Sequence, residues 1–468
     1  MTETARPPRI RQSPRAHWYV VATVCIGAFM GQLDASIVTL ALPRLGHDLH
    51  ASVGAVEWVA LAYLLVLIAT VAAVGNFADA FGRKLLYTYG FGVFTLASAV
   101  CGIAPNLPVL IGARVVQALG AAMLQANSVA LITEAMPRRL LARGIGVQGT
   151  AQALGLALGP AIGGLLLALG GWRLIFLINV PAGVAGILLG RVLLPRSRSR
   201  REIGRGDLGG AALMALAAGA TLAYLSLGTR YGFGDLLLLA LLALGLIAAV
   251  AFVVHERRHP DPLVDLSMLR RPTLAIGLSS GLVAYLVLFA TLFAVSYYLS
   301  AERLSSVLAG LELALLPAGI GVAAPIAGRL VNRLGARALT SAGLFMTGAG
   351  LLLIALGLGN LGLLAGLLVA GLGLGTFTPA NNASIMGAAP GDHTGLVGGL
   401  LNMTRGTGTA LGVAVASVIY TSAAGVTGSD AASAGLHAAH SGLTAAALAL
   451  GAAAILTALA LAAHLTRS

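Results

Sequence analysis

Residues 30–43, MGQLDASIVTLALP, hold one carboxylate, Asp34, in an otherwise apolar run. A charged side chain near a bilayer centre costs about 2.5–3.5 kcal/mol or more, so such a group is ordinarily paired or functional. A second apolar run, RVVQALGAAMLQANSVAL (114–131), begins with Arg114. At helical spacing Arg114, Gln117, Gln125 and Ser128 project within about 60° of one another, with Asn127 beside them. Such a stripe must face a cavity or a protein partner. Counted at about 1.5 Å per residue from Pro43 and from Pro108, Asp34 and Arg114 lie about 13 Å and 9 Å below the same membrane face. They are therefore candidates for an electrostatic pair. Burial favours the protonated form of a carboxylate and a neighbouring arginine the ionised form. A site alternating between those surroundings loads and releases a proton; a static ion pair is the other reading. Glu57 and Glu312 begin later apolar runs near the same face, as interfacial carboxylates or as sites for cationic substrate or a second proton. Arg405 lies inside a run with Asn402 on its side, and Trp58, Tyr63, Phe289 and Phe293 are aromatic lining candidates.

These residues need elements that live in lipid. The chain has 468 residues, of which 58% are hydrophobic and 10% charged, with mean hydropathy +0.92. Helical spans need about 20 apolar residues each. Runs between polar breaks predict fourteen, near 18–43, 54–78, 85–104, 108–133, 142–170, 173–194, 208–229, 235–254, 273–300, 308–330, 337–357, 361–388, 395–421 and 440–464. Of the 29 cationic residues, 23 fall in the two tails and in alternate loops. This is the positive-inside pattern, and it places both termini in the cytoplasm. The net charge of +13 therefore sets topology, with anionic lipid headgroups as its partners and no nucleic acid. The first run is too long for a cleaved signal peptide and ends in no A-x-A-like site. Cys25 and Cys101 both lie in predicted spans, which excludes a disulfide framework. His437 and His440 lack companion ligands, so no metal site is expected. The ratio of 28 arginines to one lysine, with abundant Ala, Gly and Leu, suits a GC-rich genome and a bacterial inner membrane.

The chain also repeats itself. GNFADAFGRK (75–84) returns as GRLVNRLGAR (328–337), an offset of 253 that also relates Gly120 to Gly373, Pro137 to Pro390, Gly155 to Gly408, Gly159 to Gly412 and Gln152 to Arg405. Two six-span halves need an offset near 200, and the excess matches two additional spans between them. The expected division is a tail 1–17, a half 18–194, a basic linker 195–207, additional spans 208–254, a linker 255–272, a half 273–464 and a tail 465–468. Parallel halves about a central path describe a large class of secondary transporters.

Four motifs in order now carry a resemblance. LDASIVTLALP (33–43), GNFADAFGRK, RVVQALGAA (114–122) and GLALGPAIGG (155–164), followed by WRLIFLINVPAG (172–183), are similar to those of the major facilitator superfamily, in its fourteen-span drug:proton antiporter branch. The resemblance implies an all-α polytopic membrane protein of the major facilitator fold. It also implies that Asp34 couples protons and Arg114 modulates it. Gly75, Asp79, Gly82, Arg83 and Lys84 form a cytoplasmic gating loop, with Asp79 and Arg83 latching the outward-open state; Ala80 stands where the family commonly has arginine. Gly155, Gly159, Pro160, Gly163 and Gly164 form the antiporter seam, which restricts opening on the cytoplasmic side. Independently of any family, glycines every four residues let helix backbones approach closely.

The expected function is proton-driven export of small amphipathic or cationic compounds by alternating access, with Glu57, Gln117, Gln125, Asn127, Gln152, Glu312, Asn402 and Arg405 as cavity candidates. A metabolite transporter on the same fold is the alternative. The absence of a G-x-x-x-x-G-K-[ST] loop argues against direct ATP drive, so the proton gradient is the energy source and no cofactor is expected. No clustered catalytic constellation supports an enzyme, and no selectivity loop supports a channel. The resemblance implies a monomer.

Overall fold

The computed structural model describes residues 7, 13, 15–137, 140–196, 207–259, 266, 268–388, 394–424 and 436–465. Among them there is no strand, and fourteen helical segments are long and apolar enough to cross a membrane. The first half comprises α1 (Ala16–Asp48), α2 (Val53–Val56), α3 (Trp58–Phe81), α4 (Arg83–Gly102), α5 (Leu107–Ala135), α6 (Leu141–Gly170), α7 (Trp172–Leu177) and α8 (Asn179–Leu193). The additional pair is α9 (Leu208–Tyr231) and α10 (Leu236–Arg258). Then follow α11 (Pro272–Ala301), α12 (Ser306–Leu313), α13 (Leu315–Leu334), α14 (Ala336–Ala355), α15 (Gly359–Gly387), α16 (Thr394–Ala424) and α17 (Leu436–Leu465). Three spans that read as continuous in sequence are broken, at Glu57, Ile178 and Ala314.

The 253-residue repeat is visible in the backbone. Ser52 caps α2 by accepting from the Ala55 amide, and Ser305 caps α12 by accepting from the Leu308 amide. Gly82 ends α3 at φ +112°, and its repeat Gly335 ends α13 at φ +82°. Both turns need glycine, because a Cβ is disfavoured at positive φ. The glycine stripes match too. Methyls on Gly155 and Gly159 of α6 would collide with Phe29 O and Ser36 Oγ of α1, and methyls on Gly408 and Gly412 of α16 with Leu282 O and Leu286 O of α11.

An even number of spans returns the chain to the side on which it began. The halves meet on the opposite side. Gly164, six residues from the end of α6, packs on Ser306 and Gly310 of α12, and Ser296 Oγ donates to Thr39 O at 3.3 Å. The Pro160–Gly164 segment thus lies away from the side holding the chain ends. Helix α6 runs unbroken through Pro160. Helix α9 packs on both halves, through α3 and α16. There Trp58 Nε1 donates to Ser226 Oγ at 3.1 Å, and Ser226 Oγ donates to Gly54 O at 2.8 Å. Helix α10 packs mainly on α9 and leaves Leu236, Leu237 and Ile247 exposed, the surface expected of a helix facing lipid.

Candidate functional site

Helices α1 and α5 bring Asp34 and Arg114 together, both 1% exposed or less. Arg114 Nη1 donates to Asp34 Oδ2 at 2.6 Å and to Gln117 Oε1 at 2.6 Å, while its Nε donates to Val59 O at 2.8 Å. Asp34 Oδ1 accepts from Gln117 Nε2 at 3.0 Å and from Asn179 Nδ2 at 3.1 Å. Gln117 Nε2 also donates to Ser98 Oγ at 2.8 Å. The guanidinium lies 4.1 Å from the Tyr63 ring centroid and 5.7 Å from that of Phe176. A buried ion pair holds only if its remaining lone pairs and protons are satisfied, and α3, α5 and α8 supply those partners here.

Proximity follows from local packing. The glycine stripe seats α6 against the face of α1 that carries Ser36 and Ile37, and Gly27 of α1 packs on Tyr87 and Phe91 of α4. The break at Ile178 starts α8 at Asn179, which puts that amide on Asp34. The break at Glu57 starts α3, whose first turn offers the Val59 carbonyl. Asn179 and Ser98 escape sequence reasoning: each is a single neutral polar residue without periodic companions. A buried arginine with more donors than one aspartate can satisfy was the available signal.

Gln125, Gln152, Asn402 and Arg405 line one central cavity of about 50 Å³ between the halves, together with Tyr63 and Phe289. A smaller void of about 10 Å³ adjoins it, lined by Ala35, Tyr63, Phe289 and Thr409, and reaches Arg114. Tyr63, whose ring covers the guanidinium, lines both the void and the cavity. Arg405 has its Nε without a hydrogen-bond partner, and its guanidinium is 5.5 Å from the Tyr285 ring centroid. No carboxylate is among the described lining residues.

Four cavity candidates lie elsewhere. Gln117 belongs to the ion-pair network. Asn127 is turned onto its own helix, donating to Met123 O at 2.8 Å, because a buried amide in a helix satisfies itself on the preceding turn. Glu57 is not interfacial: it is wholly buried at the break before α3, beside the Ser226 and Ser417 hydroxyls, and neither oxygen makes a hydrogen bond. Glu312 is 6% exposed and accepts from Asn360 Nδ2 at 3.2 Å. In the loop motif, Arg83 Nη1 pairs with Glu134 Oε1 at 2.7 Å, and Lys84 Nζ donates to Arg191 O at 2.7 Å. These contacts stay within the first half. The side chain of Asp79 lies outside the described residues, as does the linker 197–206.

The family profile described as Major Facilitator Superfamily matches residues 24–311 and 277–467. The chain is 32% identical over 410 residues to a riboflavin transporter of Clostridioides difficile, covering 86% of this chain and 88% of that one. It is 32% identical over 414 residues to a tetracenomycin C resistance and export protein of Streptomyces glaucescens, covering 87% and 77%. In fold it resembles the crystal structure of a peptide transporter in complex with sulfate, with TM-score 0.69 at 17% identity over 99% of this chain and 96% of that one.

Proposed function

Because the chain belongs to the Major Facilitator Superfamily, and is a multi-pass membrane transporter and not an enzyme, we propose that it exports small amphipathic compounds in exchange for protons. The observation that carries this reading is the Asp34–Arg114 pair, fully buried, with the Tyr63 ring stacked on Arg114 and lining the central cavity. Protonating Asp34 removes the partner of a buried guanidinium, a change worth about 3–5 kcal/mol where one member of such a pair is lost. The arginine must then find new acceptors, and Tyr63, stacked on it, moves with it. Proton arrival at Asp34 is in this way felt at the wall of the cavity. Drug-sized ligands occupy about 300 Å³ or more, so the cavity of about 50 Å³ must widen as the halves separate.

The cavity also sharpens the substrate class. Arg405, with an unsatisfied Nε and no lining carboxylate, favours neutral or anionic amphipathic compounds over the cationic ones expected from sequence. The antibiotic-export and vitamin-transport relatives support a small organic substrate without selecting one. The test is accumulation in inverted vesicles after lumen acidification, with anionic, neutral and cationic fluorescent compounds compared. Uptake of the first two classes that collapses with a protonophore supports the reading; uptake indifferent to the gradient refutes it.

A further inference from the structure

Residues 255–259 read His-Glu-Arg-Arg-His across the last turn of α10. Two histidines four apart, with glutamate after the first, form the H-E-x-x-H arrangement that sets two imidazoles on one helix face for Zn²⁺. Five residues alone are a weak signal. The fold adds a third ligand from another helix, Asp207, the residue that caps α9. Its Oδ1 accepts from the Gly210 amide at 2.7 Å and lies 2.6 Å from His255 Nε2. Ligand atoms of Asp207, His255 and His259 all lie within 4.8 Å of one another, and the two imidazole centroids are 5.2 Å apart. Asp207 is 2% exposed, yet its Oδ2 makes no hydrogen bond. That oxygen lies beside Glu256, since a methyl built on Gly210 would meet both Asp207 Oδ2 and Glu256 Oε1, whereas a methyl on Gly209 would meet His255 and Asp207 Oδ1.

Asp207, held against His255, and Glu256, beside Asp207, bring two buried carboxylates to this corner, which favours positive charge. The C-terminal end of α10, with its partial negative charge, adds to that demand. Arg257 and Arg258 are exposed. Burial alone would raise the Asp207 carboxyl, but the Gly210 amide, His255 and Glu256 together outweigh it and hold the group below its usual range.

We propose that Asp207, His255 and His259 bind Zn²⁺, or a first-row divalent cation of the same ligand preference, and so tie the ends of α9 and α10 together. One carboxylate and two imidazoles leave a fourth tetrahedral position for water, at bonds of about 2.0–2.2 Å. The cation replaces the hydrogen bond between His255 and Asp207, so small rotamer changes suffice. This inference is independent of the transport reading, because none of these residues touches the central cavity or the Asp34 network.

The test uses full-length protein purified through a tag without histidine, stripped with chelator and dialysed against Zn²⁺. One bound equivalent is expected. His255→Ala/His259→Ala and Asp207→Ala should weaken binding by at least about 100-fold, while His437→Ala/His440→Ala should retain it. Equal binding by the His255→Ala/His259→Ala protein overturns the proposal. Should that variant misfold, Co²⁺ bound to the wild type decides: intense visible bands of a four-coordinate ion support the site, and weak octahedral bands overturn it.

Discussion

At Asp34 the two carboxylate oxygens serve different partners, Oδ2 the guanidinium of Arg114 and Oδ1 the amides of Gln117 and Asn179. Arg114 in turn reaches Asp34, Gln117 and the Val59 carbonyl from one planar group. Lysine offers a point charge without that fork. Arg114→Lys should therefore keep the charge and still lower proton-driven transport by about tenfold or more, since hydrogen bonds to charged groups contribute about 1.5–3 kcal/mol. Vesicle transport rates at matched expression check this. Tyr63 tests the link to the cavity. Its hydroxyl has no hydrogen bond while its ring covers Arg114, so Tyr63→Phe should transport nearly as the wild type and Tyr63→Ala should lose most coupling.

At the scale of elements, the α1–α6 seam positions the carboxylate, and its glycines act by two different contacts. A methyl on Gly159 meets the Ser36 hydroxyl, whereas one on Gly155 meets the Phe29 carbonyl at 2.5 Å. Overpacking costs about 1–3 kcal/mol. Gly159→Ala should lower the melting temperature of the detergent-solubilised protein by a few degrees and be restored by Ser36→Gly. Gly155→Ala meets chiefly backbone, the Phe29 carbonyl and the Leu33 amide, so side-chain trimming should not restore it. The seam, the repeat offset and the depth match of Asp34 with Arg114 were legible because small residues and charges in lipid leave periodic traces. The breaks at Ile178 and Ala314 each fall three residues before a proline, Pro181 and Pro317, a signal that was available in the sequence. Asn179 and Val59 are a lone amide and a backbone carbonyl, which is why neither stood out. The H-E-R-R-H pentapeptide was readable, but its third ligand lies 48 residues upstream and only the fold joins them.

At the scale of the molecule the two halves share a backbone and differ in chemistry. Positions 253 after Asp34, Tyr63, Ser98, Arg114 and Gln117 hold Val287, Leu316, Leu351, Leu367 and Ala370, all buried. The polar network thus exists in the first half alone, while the second half gives the shared cavity its cation, Arg405. Arg405→Gln should reduce efflux of anionic compounds by about tenfold or more and leave neutral ones nearly unchanged, read from a panel in inverted vesicles. Glu57 closes the far-side junction among α3, α9 and α16, and the additional pair, absent from the repeat, covers it, so of the readings open from sequence the water-facing interfacial one does not fit. The central claim is that Asp34 carries the exchanged proton. Reconstituted vesicles with a pH-sensitive dye inside report proton movement when a substrate gradient is imposed. The wild type should move protons against the substrate flow, and Asp34→Asn should bind substrate yet move none. Wild-type proton movement by a folded Asp34→Asn protein would contradict the account.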